Sequence, residues 1–185
     1  MNKILKLLSA IIFYLFLISG SSISDENKIK IGLLVPLSGD NAELGKQIIK
    51  ATRMALKEIN TDTIEIYPKD TQSDPNITLR SAKEFELMGI NLVIGPVFYN
   101  NLIYLNEINN IIFLSLTNKT LDLPKNVIST GVNATSQINT IKKFIELNDI
   151  NKTIFLIPNL NYDLEIKKGI KDSKIKIFKE HYYDI

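Results

Sequence analysis

Asp70 and Asp74 stand four residues apart in KDTQSDP, a spacing at which two carboxylates could share general acid–base work. Their surroundings point elsewhere. Asp74 precedes Pro75 and a run of helical periodicity, so it reads as a helix N-cap, and Asp70 closes a strand. His181 is the single histidine, close to the last residue, which leaves no material for a Ser-His-Asp triad or a histidine-based metal site. Ser38 and Ser115 lack the G-x-S-x-G context of an exposed nucleophile, and no G-x-G-x-x-G or phosphate-loop lysine pattern follows any strand. The chain has no cysteine, so a disulfide or thiolate metal site is impossible and stability must come from core burial. These residues describe a non-enzyme with neither metal nor cofactor. The aromatic residues hold what binding chemistry is left: Phe98 and Tyr99, at a strand exit, can line a cleft or pack, whereas Tyr104 reads as core.

The elements that must position these residues alternate between apolar strands and helices with one apolar face, the pattern of a parallel sheet covered on both sides. IKIGLLV is the first strand; a helix from Ala42 to Asn60 follows, capped by Asp40 or Asn41, with Leu44, Ile48, Ala51, Ala55, Leu56 and Ile59 along its inner side. Thr63 to Tyr67 is the second strand, and the helix that starts at Asp74-Pro75 stops at Gly89, with Leu79, Ala82, Phe85 and Met88 inward. Then come a strand at Asn91 to Gly95, a short helix at Tyr99 to Asn109, and strands at Ile111 to Leu116 and Val127 to Thr130. A helix over Ala134 to Asn148 points Ile138, Ile141, Phe144 and Ile145 inward, and a strand (Thr153 to Ile157), a helix (Leu164 to Lys171) and a strand (Lys174 to Lys179) complete the pattern. The expected organisation is a leader at 1–24, an α/β lobe at 25–131 with a boundary near Gly131, and the start of a second α/β lobe at 132–185. The last strands either belong to a shortened second lobe or join the first sheet.

The leader is read from order: Lys3 and Lys6, an apolar run from Leu7 to Ile18 broken by Ser9, then Ser19-Gly20-Ser21-Ser22. The run is shorter than the ~20 residues of a membrane-spanning helix, so a secretory signal peptide is the direct reading, with a short uncleaved anchor as the alternative. Ile18-Ser19-Gly20-Ser21 has the form of a lipoprotein box with serine in the cysteine position, where there is no thiol to acylate. Removing Lys3 and Lys6 takes the formal charge from +2 to zero, which excludes electrostatic nucleic-acid binding by the mature domain.

An exported chain whose first strand runs into PLSG and a helix, then DTQSDP, then a strand ending in IGP, resembles the type I periplasmic binding proteins, and within them the leucine/isoleucine/valine-binding group. The likeness runs from Ile29 to Tyr183. It implies two Rossmann-like lobes that close on an amino acid or similar small solute and deliver it to an ABC transporter permease in the periplasm. It implies ligand contacts in the loops after the strands: Ser38 and Gly39; Phe98, Tyr99 and Asn100; Thr117 and Asn118; and Tyr162 at the edge of the second lobe, where Asp163 replaces the family's frequent glycine. Hydroxyls and N–H groups at helix starts can hold a carboxylate, although Asp40 and Glu43 beside Ser38 would repel one. The chain departs from the amino-acid binders by carrying Val97-Phe98-Tyr99-Asn100 where they have small hydroxyl residues. GP-V-F and the later SLTN are also similar to the penicillin-binding-protein activators, exported relatives that transport nothing and regulate a peptidoglycan synthase through protein contacts.

The leader generates a direct expectation: mass spectrometry of the mature protein should find an N-terminus between Gly20 and Asp25. A soluble cytoplasmic species that retains Met1 would contradict it.

Overall fold

Successive residues of a strand face opposite sides of its sheet, and the first strand, β1 (Ile29–Val35), is apolar on both. In a computed structural model, which describes residues 28–159 and 163–184, β1 lies inside a five-stranded parallel sheet of order β2-β1-β3-β4-β5. Its partners are β2 (Ile64–Asp70), β3 (Leu92–Ile94), β4 (Ile112–Ser115) and β5 (Val127–Ser129). The α/β class expected from the sequence is the class observed.

Helix α1 (Ala42–Ile59) joins β1 to β2, and α2 (Pro75–Leu87) joins β2 to β3. They cover opposite faces. Leu34, Val93 and Phe113 meet Ala82 and Phe85 of α2 in the main core, while Leu33, Ile66 and Pro68 face Ile49, Thr52 and Leu56 of α1 across a cavity of about 70 Å³. The start of α2 follows from its residues: Asp74 accepts from the N–H groups of Asn76 and Ile77 at 2.8 and 2.9 Å, and Pro75 takes the first turn. Gly89, at φ +70°, follows its end.

Two helix faces differ from expectation. On α1 the covered side is Gly45, Ile48, Ile49, Thr52 and Leu56, while Leu44, Ala51, Ala55 and Ile59 are exposed. The stripe is rotated because the helix start approaches the chain at Pro36 so closely that a Cβ on Gly45 would lie 1.7 Å from the Pro36 carbonyl oxygen. On α2 Leu79, Ala82 and Phe85 pack inward as expected, joined by Thr78 and Ser81, and only Met88, beyond the last turn, is exposed against expectation.

The single helix expected over Tyr99–Asn109 is instead two 3₁₀ turns, Tyr99–Leu102 and Leu105–Glu107. Leu102, Leu105, Ile108 and Ile111 are buried at intervals of three, which matches three residues per turn. The same period turns Tyr104 outward, so it is not core. The Asn126 amide then donates to the carbonyls of Leu105 and Ile108 at 2.9 and 2.7 Å, the groups a continued helix would have used.

Past Gly131 the chain builds a second, two-stranded parallel sheet rather than extending the first. It contains β6 (Ile154–Pro158) and β7 (Lys179–Tyr183), with α3 (Ala134–Leu147) and α4 (Asp163–Ser173) packed against it around Ile138, Ile157, Ile170 and Ile175. Gly169 brings the helices together, since a Cβ there would stand 3.0 Å from the backbone of Ala134 and Thr135. Ile141 and Phe144 are exposed, contrary to the reading of α3, because the inward stripe runs through Ala134, Ile138, Lys142 and Ile145 and the Lys142 ammonium donates to the Ser173 carbonyl at 3.0 Å. The final strand begins at Lys179, not Lys174: Lys174 ends α4 at φ +54°, and Ile175 and Ile177 pack into the small core before pairing starts.

Burial separates two phenylalanines. Phe85→Ala should lower the unfolding free energy by about 3–5 kcal/mol in urea melts, because Phe85 is 0 % exposed. Phe144→Ser should stay within about 0.5 kcal/mol of wild type, because Phe144 is 61 % exposed.

Candidate functional site

The open end of a parallel sheet is where its strands deliver their loops, so the carboxyl ends of β1, β3 and β4 are the place to look. At the end of β1 the register places Val35 beside Asp70. The Asp70 carboxylate gathers the next loop: one oxygen accepts from the N–H groups of Leu37 and Gln72 at 2.7 and 2.9 Å, and the other accepts from the Ser38 hydroxyl at 2.6 Å. Burial pushes the Asp70 pKa up, and these bonds outweigh it and hold it below the ordinary aspartate range. Ser38 and Gly39 are exposed, with Gly39 at φ +73° and its carbonyl accepting from Ala42 N–H at 3.1 Å as α1 begins. The Ser38 proton therefore points to Asp70, and its oxygen offers lone pairs. Asn41, at the N-cap of α1, gives its side chain to Ser73 rather than to the helix.

The loops after β3 and β4 are fastened to one another. Ser115 donates its hydroxyl to the Pro96 carbonyl at 2.8 Å, and Leu116 N–H donates to the same oxygen at 3.1 Å. Gly95 is at φ +98°, and a Cβ there would stand 2.2 Å from the Leu34 carbonyl oxygen, so only glycine lets the strand exit pass β1. Beyond it Phe98 and Tyr99 are half-buried and Asn100 is exposed; Tyr99 packs on the main core from its edge. The Lys119 ammonium sits 4.3 Å from the Tyr99 ring centroid, a cation–π contact that joins the two loops.

Thr117 is 4 % exposed and committed to structure: its hydroxyl oxygen accepts from Lys119 N–H, and its carbonyl accepts from the Ser129 hydroxyl and Gly131 N–H. Asn118 is exposed beside it. Tyr162 lies outside the described residues. Of the residues singled out from the sequence, Phe98, Tyr99 and Asn100 lie in the loop after β3 and Thr117 and Asn118 in the loop after β4, two loops joined through Tyr99 and Lys119, while the contacts of Ser38 run to the end of β2. Sequence reading missed Lys119, and it missed Glu165, whose carboxylate on α4 binds Thr120 and Leu121 in the same loop. The register of β1 with β2 would have flagged Asp70; no local signal marks Glu165.

A sequence profile of the family described as periplasmic binding protein matches residues 28–174. The chain belongs to the periplasmic binding protein family. Leu/Ile/Val-binding protein homolog 1 of Brucella abortus is 34 % identical over 73 residues, 36 % of this chain and 20 % of that protein. An uncharacterized protein of Methanocaldococcus jannaschii is 35 % identical over 82 residues, again 20 % of its length. Among solved structures, the C-domain of LpoA from Haemophilus influenzae superposes with a TM-score of 0.68 at 20 % identity, over 83 % of this chain and 50 % of that one. A branched-chain amino acid ABC transporter periplasmic ligand-binding protein from Burkholderia xenovorans superposes with a TM-score of 0.65 at 14 % identity, over 85 % of this chain and 47 % of that one. This binding-protein chain therefore aligns with about a fifth of the length of these curated relatives and about half of these structural ones.

Asp70 contributes to the acid behaviour of the protein alongside Glu84 and Glu165, whose pKa values are also lowered. Its folded pKa is depressed, so its stabilisation is present above the unfolded aspartate pKa and is lost as pH falls through the folded value. Asp70→Asn should reduce stability at neutral pH by about 1–3 kcal/mol and make the acid limb of a stability-versus-pH curve shallower. An acid limb identical to wild type, followed by circular dichroism, would contradict this.

Proposed function

We propose that this chain is the first lobe, with part of the second, of an exported solute-binding protein of leucine-binding type, which captures an amino acid or similar small solute for an ABC transporter. The observation that carries the reading is the polarity of the sheet's open end. Ser38, its proton held by Asp70, offers an acceptor to an ammonium, and the Lys119 ammonium at the β3–β4 wall offers a cation to a carboxylate. A zwitterion has one group for each. The 34 % identity to a Leu/Ile/Val-binding homologue supports the same class. In this reading residues 1–24 are a cleaved signal peptide, the protein works in the periplasm, and Ser38, Gly39, Phe98, Tyr99, Asn100, Asn118 and Tyr162 form the ligand rim, with the buried Thr117 shaping the loop beneath it. Lobe boundaries at 25–131 and 132–185 belong to it as well.

A second reading follows from the two half-buried rings. Phe98 and Tyr99 fill space where an amino-acid binder needs small hydroxyl residues, and the LpoA domain of comparable fit is described as a regulator of PBP1A. The alternative is an activator that transports nothing and acts by touching a peptidoglycan synthase.

A thermal-shift panel of amino acids, amides and short peptides separates the two. Ligand at about 100 times its Kd should add roughly 2.7 kcal/mol, and Lys119→Ala should weaken any such effect. No response to any solute, together with co-purification of a peptidoglycan synthase, would replace the transport reading with the second.

A further inference from the structure

Glu165 is a charged residue only 4 % exposed. It stands on α4, beside the small sheet, yet its carboxylate is bound across to the loop that follows β4. One oxygen accepts from the N–H groups of Thr120 and Leu121 at 2.6 and 2.8 Å, and the other accepts from the Thr120 hydroxyl at 2.7 Å. These donors are neutral. Lys168, the nearby cation that acts on Glu165, is itself paired with Asp172 at 2.9 Å. Two successive main-chain N–H groups and a hydroxyl converging on one carboxylate form an anion-holding concavity of the kind proteins use for ligands. The same loop starts at Thr117 and Asn118 and carries Lys119 over Tyr99.

We propose that the Thr120–Leu121 turn is a carboxylate-binding site that the chain fills with its own Glu165. Glu165 is thus a built-in ligand. It clasps the two sheets' units together through donors that a free carboxylate would otherwise use, and it keeps small carboxylates off the Thr120 and Leu121 N–H groups while leaving Lys119 free of it. The inference rests on the hydrogen bonds alone and holds for either reading of the protein's role.

Removing the side chain at its Cβ leaves a space the size of acetate, so chemical rescue is the test. Wild type, Glu165→Ala and Glu165→Gln are compared in acetate and in chloride at about 100 mM and equal ionic strength, by melting temperature and by amide exchange at Thr120 and Leu121. In chloride, Glu165→Ala should lose protection at both amides by about tenfold or more, and acetate should restore it and raise the melting temperature. Wild type and Glu165→Gln, whose slots are filled, should melt alike in the two salts. Unchanged exchange in Glu165→Ala, or equal behaviour of that variant in acetate and chloride, overturns the proposal. If Glu165→Ala is unfolded in chloride, folding in acetate supports the site, whereas failure in both salts with Glu165→Gln folded overturns it.

Discussion

The first sheet depends on a missing side chain. A Cβ on Gly32 would lie 2.8 Å from the Phe85 ring and 2.9 Å from Val93, so the ring can rest against the middle of β1 only because residue 32 has none. That contact seats α2 on the sheet at its most deeply buried point, and the 3₁₀ segment then packs Leu102 and Leu105 into the same core. Close packing leaves such a fit little room to relax. The strand ends, and hence every loop of the candidate site, take their positions from it.

What organises those loops is a repeated device: a carboxylate that collects the free N–H groups of a neighbouring turn. Asp70 does so for the loop after β1, Asp74 for the start of α2, and Glu165 for the loop after β4. In each case a negative group meets main-chain donors that strands and helices leave unpaired at their ends, which is the inexpensive way to satisfy them. Charge is thereby fixed at the open end of the sheet, and the exposed side chains of Asn100 and Asn118 stand among loops already held in place.

How much of this could be read in advance depended on the reach of each interaction. The α2 helix was legible because Asp74, Pro75 and Gly89 act within a turn of themselves, and the parallel sheet was legible because burial on two faces makes strands apolar throughout. The faces of α1 and α3 were not. Gly45 turns inward on account of a carbonyl at Pro36, and Lys142 turns inward on account of a carbonyl at Ser173, partners that a helical period cannot reveal. The 3₁₀ segment had its signal in plain view, apolar residues at 102, 105, 108 and 111, and a period of three was read as one of 3.6. In the site, the loop segments were named correctly as strand exits, but the contacts within them were not. Glu165 meets Thr120 across 45 residues of chain, and no pattern in the intervening sequence points to it.

The strand order has a kinetic meaning. β1 is flanked by β2 and β3, both parallel to it, and each pairing must bridge a helix. Such pairings close large loops before they return any stability, which makes them slow. As the chain emerges from the ribosome, IKIGLLV therefore stays unpaired until Ile64–Asp70 has been made, and keeps one edge open until Leu92–Ile94 follows. For that interval a strand destined for the inside of the sheet is an extended, open-edged peptide, the form in which chaperones hold a chain and in which it can still be threaded through a pore.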